Sequence, residues 1–127
     1  MAKAIYRHIM TAPNKVRRVA NLLRGKSLAE AEATLASLPQ RAVAAVAKTL
    51  KSAAANAENN EGANRDALFV SRIFVDEGTR LRRYLPRARG RADTVRKRMS
   101  HLTVVVEPRE VKSPAAGRTP RTRKGTA

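Results

Sequence analysis

Nine basic side chains lie within nineteen consecutive residues near the end of the chain, between positions 80 and 98. Eight of the nine are arginines, whose planar guanidinium groups donate paired hydrogen bonds to phosphate oxygens and stack on bases. Asp93 is the single acidic residue of this stretch. Such a concentration of positive charge predicts a polyphosphate partner. The nine residues are Arg80, Arg82, Arg83, Arg87, Arg89, Arg91, Arg96, Lys97 and Arg98.

Two strand-like segments must position these side chains. Residues 68–75 and 101–106 are rich in β-branched and aromatic residues, which predicts two strands joined by a hairpin arm at about residues 78–99. Pro86 and Gly90 mark the turn near its tip. Roughly ten residues a side at about 3.3 Å each would project the arm about 30 Å. Because isolated two-stranded ribbons are marginal in water, we expect the arm to be mobile when free and fixed when bound.

The elements before the arm form its support. Residues 3–10 predict a first strand, and Pro13 opens a first helix that stops at Gly25. Its apolar residues recur at helical spacing, which predicts one buried stripe. The stripe consists of Val16, Val19, Ala20 and Leu23.

Two more helices follow. Ser27 and Glu30 match a capping box that opens the second helix, and Pro39 ends it. A third helix is predicted from about residue 40 to 60, with Gly62 just beyond its end. The order β-α-α-α-β-β predicts an α+β fold. We expect three helices packed on a small three-stranded antiparallel sheet, with a long protruding β-hairpin and a basic C-terminal tail.

The first helix carries a second basic cluster off its apolar stripe. No acidic residue lies three or four positions from Lys15, Arg17, Arg18 or Arg24, which favours a phosphate-binding face over an ordinary solvent face. Taken alone, the pattern leaves both interpretations open. The candidate RNA-binding residues of this region are Lys15, Arg17, Arg18, Arg24 and Lys26.

The overall composition agrees with a nucleic-acid partner. The chain has 127 residues, a formal net charge of +17 and a pI near 11.7. Residues 27–79 hold five basic and seven acidic groups, so the charge lies in the flanking segments. The length predicts one domain, at residues 1–107, and the composition of residues 108–127 predicts a basic flexible tail.

An enzymatic role is not supported by the residue types present. Cysteine is absent from the sequence, and His8 and His101 lack metal-ligand spacing, so we interpret both histidines as structural. Asp76 and Glu77 lie beside many arginines and are interpreted as ordering the base of the arm. We predict no catalytic residues, no metal site and no cofactor. Lacking an apolar signal core or a membrane span, the chain is predicted to be soluble and cytoplasmic.

Aromatic residues are few, with two Tyr, two Phe and no Trp. Recognition is therefore expected to rest mainly on phosphates, 2′-hydroxyls and the shape of folded RNA, and stacking on aromatic rings is not expected to be the main mode.

Five segments in order make the chain similar to the bacterial form of one large-subunit ribosomal protein family, number twenty-two in the universal nomenclature. They are KVRRVANLLRGK at 15–26, SAAANAENN at 52–60, FVDEG at 74–78, PRARGRAD at 86–93 and KRMSHLTVVV at 97–106. The resemblance covers about residues 4–107. It departs at Ala12, where relatives usually have Ser before the first helix, and after Glu107.

The resemblance implies binding to large-subunit ribosomal RNA, help in subunit assembly, neighbouring ribosomal proteins as partners, and a monomer outside the ribosome. It also implies that the hairpin lines the nascent-peptide exit tunnel and faces the nascent polypeptide. The tunnel-lining residues carried over are Arg82, Arg83, Pro86, Arg87, Ala88, Arg89, Gly90 and Arg91. The alternative is an architectural DNA-binding protein with β-ribbon arms in the minor groove, which predicts a stable dimer.

Overall fold

A computed structural model describes residues 1–109 of the chain. The predicted element order and α+β fold are confirmed, with a short 3₁₀ turn at Arg65–Ala67 added before the second strand. The predicted basic tail lies outside the described residues from position 110 onward. The elements are β1 (Ala2–Ile9), α1 (Pro13–Leu23), α2 (Leu28–Ser37), α3 (Ala42–Glu61), β2 (Leu68–Pro86) and β3 (Ala92–Pro108).

The helices begin and end close to the predicted residues. Pro13 occupies the first turn of α1, where its missing N–H is not needed, and Ala12 before it provides no side-chain cap. The capping box of α2 is complete: the Ser27 hydroxyl accepts from the Glu30 N–H at 3.4 Å, and the Glu30 carboxylate accepts from the Ser27 N–H at 3.3 Å. Gly62 ends α3 in the left-handed region, at φ 59°.

The sheet is antiparallel in the order β1-β3-β2, so β3 is central and β1 and β2 are edges. The β2–β3 ladder runs from the pair Leu68–Pro108 to the pair Pro86–Ala92. One hairpin therefore forms both half of the sheet and the projecting ribbon. Its register shifts twice, between Val70 and Arg72 and between Glu77 and Arg80 on β2. We call the part beyond the second shift, residues 80–98, the ribbon.

The core lies between the helices and one face of the sheet. On β3 every second residue is buried, namely Ser100, Leu102, Val104 and Val106. The predicted stripe of α1 is buried against this face, and α3 adds Val46 and Leu50. The three helices found within residues 1–109 include none long and apolar enough to cross a membrane.

The tip of the ribbon lies where Pro86 and Gly90 predict it. The Arg87 N–H donates to the Arg91 carbonyl oxygen at 2.8 Å and closes the turn. Arg89 and Gly90 both have positive φ, at 58° and 67°. A non-glycine residue in this region is uncommon, so the tip holds the Arg89 backbone in a conformation that arginine rarely adopts.

Candidate nucleic-acid interface

Cross-strand pairing places four arginines on one face of the ribbon. Arg80 lies opposite Arg98, and Arg82 lies opposite Arg96. Side chains directly opposite each other are about 5 Å apart at Cβ, and like charges there are destabilising. A free ribbon gains nothing from this arrangement, whereas a bound polyanion would neutralise it.

The second face of the ribbon also carries positive charge. Arg83 lies opposite Val95 and Lys97 lies opposite Leu81 on this face. Leu81 is only partly exposed and Val95 is 36% exposed, so the ribbon has no buried core of its own. Both faces are therefore available to a surrounding partner.

Few of the ribbon's cations are neutralised inside the molecule. Arg80 donates to Glu77 at 2.7 Å at the base, and Arg87 donates to Asp93 at 2.8 Å near the tip. Within residues 1–109 the other seven ribbon cations form no ion pair with an acidic side chain. Their charge is directed outward.

An open groove of about 980 Å³ lies where the ribbon leaves the body of the protein. We call it the arm-root groove. It is bounded by the ribbon and by the first residues of α1 and α3, and its lining within residues 1–109 includes no carboxylate. Met10, Leu81 and Met99 contribute apolar surface. Its basic residues are Lys15, Arg18, Arg41, Arg83, Arg96, Lys97 and Arg98.

The two helices that begin at the groove add to its positive potential. Neither α1 nor α3 has a side-chain cap or an acidic residue in its first turn, whereas α2, which begins elsewhere, has both. Uncapped N–H groups at a helix start carry partial positive charge. The groove thus combines side-chain cations with helix termini of the same sign.

The basic residues of α1 divide into two sets. Lys15 and Arg18 line the arm-root groove. Arg17 and Arg24 instead donate to the carbonyl oxygens of Val75 and Ile73, each at 3.1 Å. These two remain candidate RNA contacts, but the structure gives each an intramolecular partner.

Lys26 belongs with the second set, because its ammonium group donates to the Thr34 hydroxyl at 2.9 Å. Its backbone carbonyl accepts from the Val70 N–H at 2.9 Å, and the Gly25 N–H donates to the Val70 carbonyl. Residues 25–27 therefore lie along the outer edge of β2. The register shift after Val70 turns the carbonyls of Ile73 and Val75 outward, where the two arginines reach them.

Arg41 is a groove residue that sequence reasoning missed. It precedes the first residue of α3 and lines the groove beside Lys15 and Arg18. A cation is electrostatically unfavourable at a helix N-terminus, since that end of the helix dipole is positive. An arginine at a predicted helix N-terminus was the feature of the sequence that could have indicated an anion-binding position.

The two histidines meet at the base of the ribbon. The backbone N–H of His8 donates to Nδ1 of His101 at 3.0 Å, and the two rings pack edge to face with their centroids 4.8 Å apart. Nδ1 of His101 therefore acts as an acceptor, which agrees with the structural role we assign to both residues. Within residues 1–109 no cluster of three or more possible metal ligands is present.

Glu77 holds the base of the ribbon by charge as well as geometry. The hydrogen bond from Arg80, and then the charge of Arg80, lower the pKa of the Glu77 carboxyl below its ordinary value of 4.5. The carboxylate spans the register shift between Glu77 and Arg80. This contact is the kind of ordering contact that we expect of Glu77, and the same role for Asp76 stays a prediction.

The fold and this surface define an α+β protein whose basic ribbon continues into a basic groove, a shape and charge suited to a polyphosphate chain. The sequence pattern of the family described as "Ribosomal protein L22p/L17e" matches residues 4–107. The chain belongs to this ribosomal protein family.

Individual relatives agree over most of the chain. The large ribosomal subunit protein uL22 of Pelotomaculum thermopropionicum is 57% identical over 105 residues, which cover 83% of this chain and 93% of that protein. The protein of the same name from a Thermoanaerobacter species is 54% identical over 109 residues, covering 86% and 98% of the two chains. That from Heliobacterium modesticaldum is 50% identical over 115 residues, covering 91% and 82%.

Proposed function

We propose that this chain is a structural, non-enzymatic constituent of the large subunit of the cytoplasmic ribosome, where it binds large-subunit ribosomal RNA and supports assembly. The observation that carries the proposal is the basic surface that the ribbon and the arm-root groove share, in which the groove lining within residues 1–109 contains basic side chains and no acidic one. Its family and the names of its relatives support the ribosome as the setting.

RNA binding would divide between two parts of this surface. Lys15, Arg18 and Arg41 line the groove, of about 980 Å³, together with cations of the ribbon. An RNA backbone lying in the groove would therefore contact cations of both the body and the ribbon. Along the ribbon, the opposed arginine pairs would contact phosphates on one face while Arg83 and Lys97 serve the other.

The tip supports the proposed tunnel-lining role. The residues that we propose line the nascent-peptide exit tunnel are the eight named above, from Arg82 to Arg91. The tip turn is closed by a hydrogen bond between its own backbone groups, and none of its side chains belongs to the core. The tip can therefore enter a narrow passage walled by RNA while the hydrophobic core of the protein stays buried. A nascent polypeptide and neighbouring ribosomal proteins would be its further partners.

We also propose that the chain is a monomer outside the ribosome. The DNA-binding alternative requires a dimer, and family membership favours the ribosome over it. Sedimentation of the purified chain distinguishes the two states directly.

Sedimentation of lysate through a density gradient after a high-salt wash tests the ribosomal assignment. The chain should remain with large subunits and whole ribosomes. Release to the top of the gradient, or migration with chromosomal DNA, would refute it.

Site-specific crosslinking tests the tunnel assignment. A photoreactive amino acid at Ala88, at the tip, should crosslink to a stalled nascent peptide on the ribosome. The matched control carries the same group at Ala33, an exposed position on α2, and should give no such product. Crosslinks to the nascent peptide at Ala33 but not at Ala88 would reverse the proposed orientation.

A further inference from the structure

The face of the sheet turned away from the helices carries a small apolar strip. Ile5 of β1, Thr103 of β3 and Phe74 of β2 are aligned partners in one row across the three strands. Ile5 is 50% exposed and Phe74 is 48% exposed, although Ala4 before Ile5 and both chain neighbours of Phe74 are buried. No element among residues 1–109 covers this strip.

The next row of the same face carries positive charge. Lys3 and Arg72 are both aligned with Val105, so they lie on either side of it, two residues along the strands from Ile5 and Phe74. Strand alternation places these rows on one face, about 7 Å apart. Neither Lys3 nor Arg72 forms an ion pair within the part of the chain that the structure describes.

We propose that this face binds one unpaired nucleotide of RNA, with its base stacked on the Phe74 ring and an adjacent phosphate held by Lys3 and Arg72. The two cations lie in the row next to that of the ring. RNA-binding sheets that present exposed aromatic side chains stack the bases of single-stranded RNA on them in this manner. We call Phe74, Lys3 and Arg72 the stacking site.

The apolar area favours a nucleotide over a protein partner. A stable protein interface buries about 800 Å² on each side and needs a desolvated apolar centre. Here two half-exposed apolar side chains stand among charged residues, with Asp76 and Glu107 also at the ends of this face. One aromatic ring is enough for one base.

The stacking site is separate from the arm-root groove, because the groove is lined by the starts of α1 and α3 on the helix side. The inference rests on the proposed RNA-binding function and adds an element to it: an unpaired nucleotide bound by the body of the protein as well as phosphates bound by the ribbon.

The test compares two substitutions of Phe74 in the full chain, with transcribed large-subunit ribosomal RNA as the probe. Phe74→Tyr keeps the ring and Phe74→Leu keeps an apolar side chain without it. Stacking is lost only in the second, so Phe74→Leu should weaken binding roughly 5- to 150-fold while Phe74→Tyr stays near the original affinity. Thermal melting of both variants checks that the sheet is intact, which the exposure of Phe74 favours.

A second measurement locates the contact. Ultraviolet irradiation of the complex should crosslink the peptide containing Phe74 to RNA, and the yield should fall in Phe74→Leu. Equal affinity of Phe74→Leu and the original chain, equal loss in a natively melting Phe74→Tyr, or a crosslink to another protein in assembled subunits would each overturn the stacking site. A chain that binds no ribosomal RNA at all would instead refute the proposed function.

Discussion

The guanidinium group of Arg24 donates a hydrogen bond to the carbonyl oxygen of Ile73 at 3.1 Å, joining the end of α1 to the outer edge of β2. About two helical turns upstream, Arg17 makes the same kind of contact with Val75. Edge strands expose unpaired carbonyls, and these two arginines satisfy two of them while remaining charged. Basic residues of one helix therefore serve the fold on one side and the groove on the other.

This division predicts that substitutions of Arg24 and Arg18 differ in their effect on the free energy of unfolding. Arg24→Met keeps the apolar stem but removes the donor, so the free energy of unfolding should fall by about 1–2 kcal/mol, because hydrogen bonds from charged groups contribute on that order. Arg18→Met, the matched control, should change it by less than about 0.5 kcal/mol. Urea denaturation measures both. Equal destabilisation would show that Arg24 is no more structural than Arg18.

The arm-root groove predicts a change in salt dependence. Replacing Lys15 and Arg18 with glutamine should reduce the slope of log affinity against log salt by about 1.4–1.8, since each lost phosphate contact accounts for about 0.7–0.9. Arg41→Gln should reduce it by a further ~0.7–0.9. The control pair Lys48→Gln and Lys51→Gln, which are exposed in the middle of α3 and do not line the groove, should leave the slope unchanged. Titration of ribosomal RNA at several salt concentrations gives the slopes, and an unaltered slope in the first variant would make α1 a plain solvent face.

Gly78 predicts a steric limit at the base of the ribbon. A Cβ there would lie 3.2 Å from the backbone carbon of Met99 and 3.3 Å from the His101 ring, so the Met99 backbone or the ring would have to shift by a few tenths of an ångström to admit it. Gly78→Ala should lower the free energy of unfolding by about 1–3 kcal/mol, as overpacking does. Thr79→Ala, next to it and exposed, should have little effect. A stable Gly78→Ala variant would mean that the ribbon base adjusts freely.

Glu77 predicts a pH dependence of the same region. Its pKa is lowered in the folded chain by the Arg80 contact, so the contact's contribution to stability is fully present above pH 4.5 and is lost as pH falls through the lower folded value. Carboxyl carbon NMR should show this residue titrating below an ordinary glutamate. Arg80→Gln should return the pKa of Glu77 toward 4.5, and an unchanged titration would remove Arg80 as its cause.

Local signals in the sequence predicted most of the elements. The capping box of Ser27 and Glu30, the stop at Gly62 and the turn between Pro86 and Gly90 each depend on residues close in the chain, and all three are confirmed. The spacing of Val16, Val19, Ala20 and Leu23 likewise predicted a buried face, because helical periodicity alone determines it.

The candidate site was only partly predictable, since its geometry depends on distant pairings. The register shift after Val70 decides which carbonyls Arg17 and Arg24 can reach, and no residue near α1 reports that shift. The groove likewise forms only when the start of α3 meets the base of the ribbon, which is why Arg41 was missed. The residue types show which side chains are charged. Only the tertiary structure shows which of them form hydrogen bonds within the fold and which line the groove.

The covered edge of β2 also affects whether the free protein aggregates before it binds its partner. Before it binds a partner, a newly made chain is surrounded by other copies of itself. Unpaired edge strands of identical chains can pair with each other and lead to aggregation. Residues 25–27 and two guanidinium groups occupy that edge from Val70 to Val75, and beyond it the ribbon's own positive charge repels a second copy. Two of the arginines that we propose as RNA contacts thus also protect the edge of β2 against pairing with a second copy of the chain, which would help the free protein to stay dispersed.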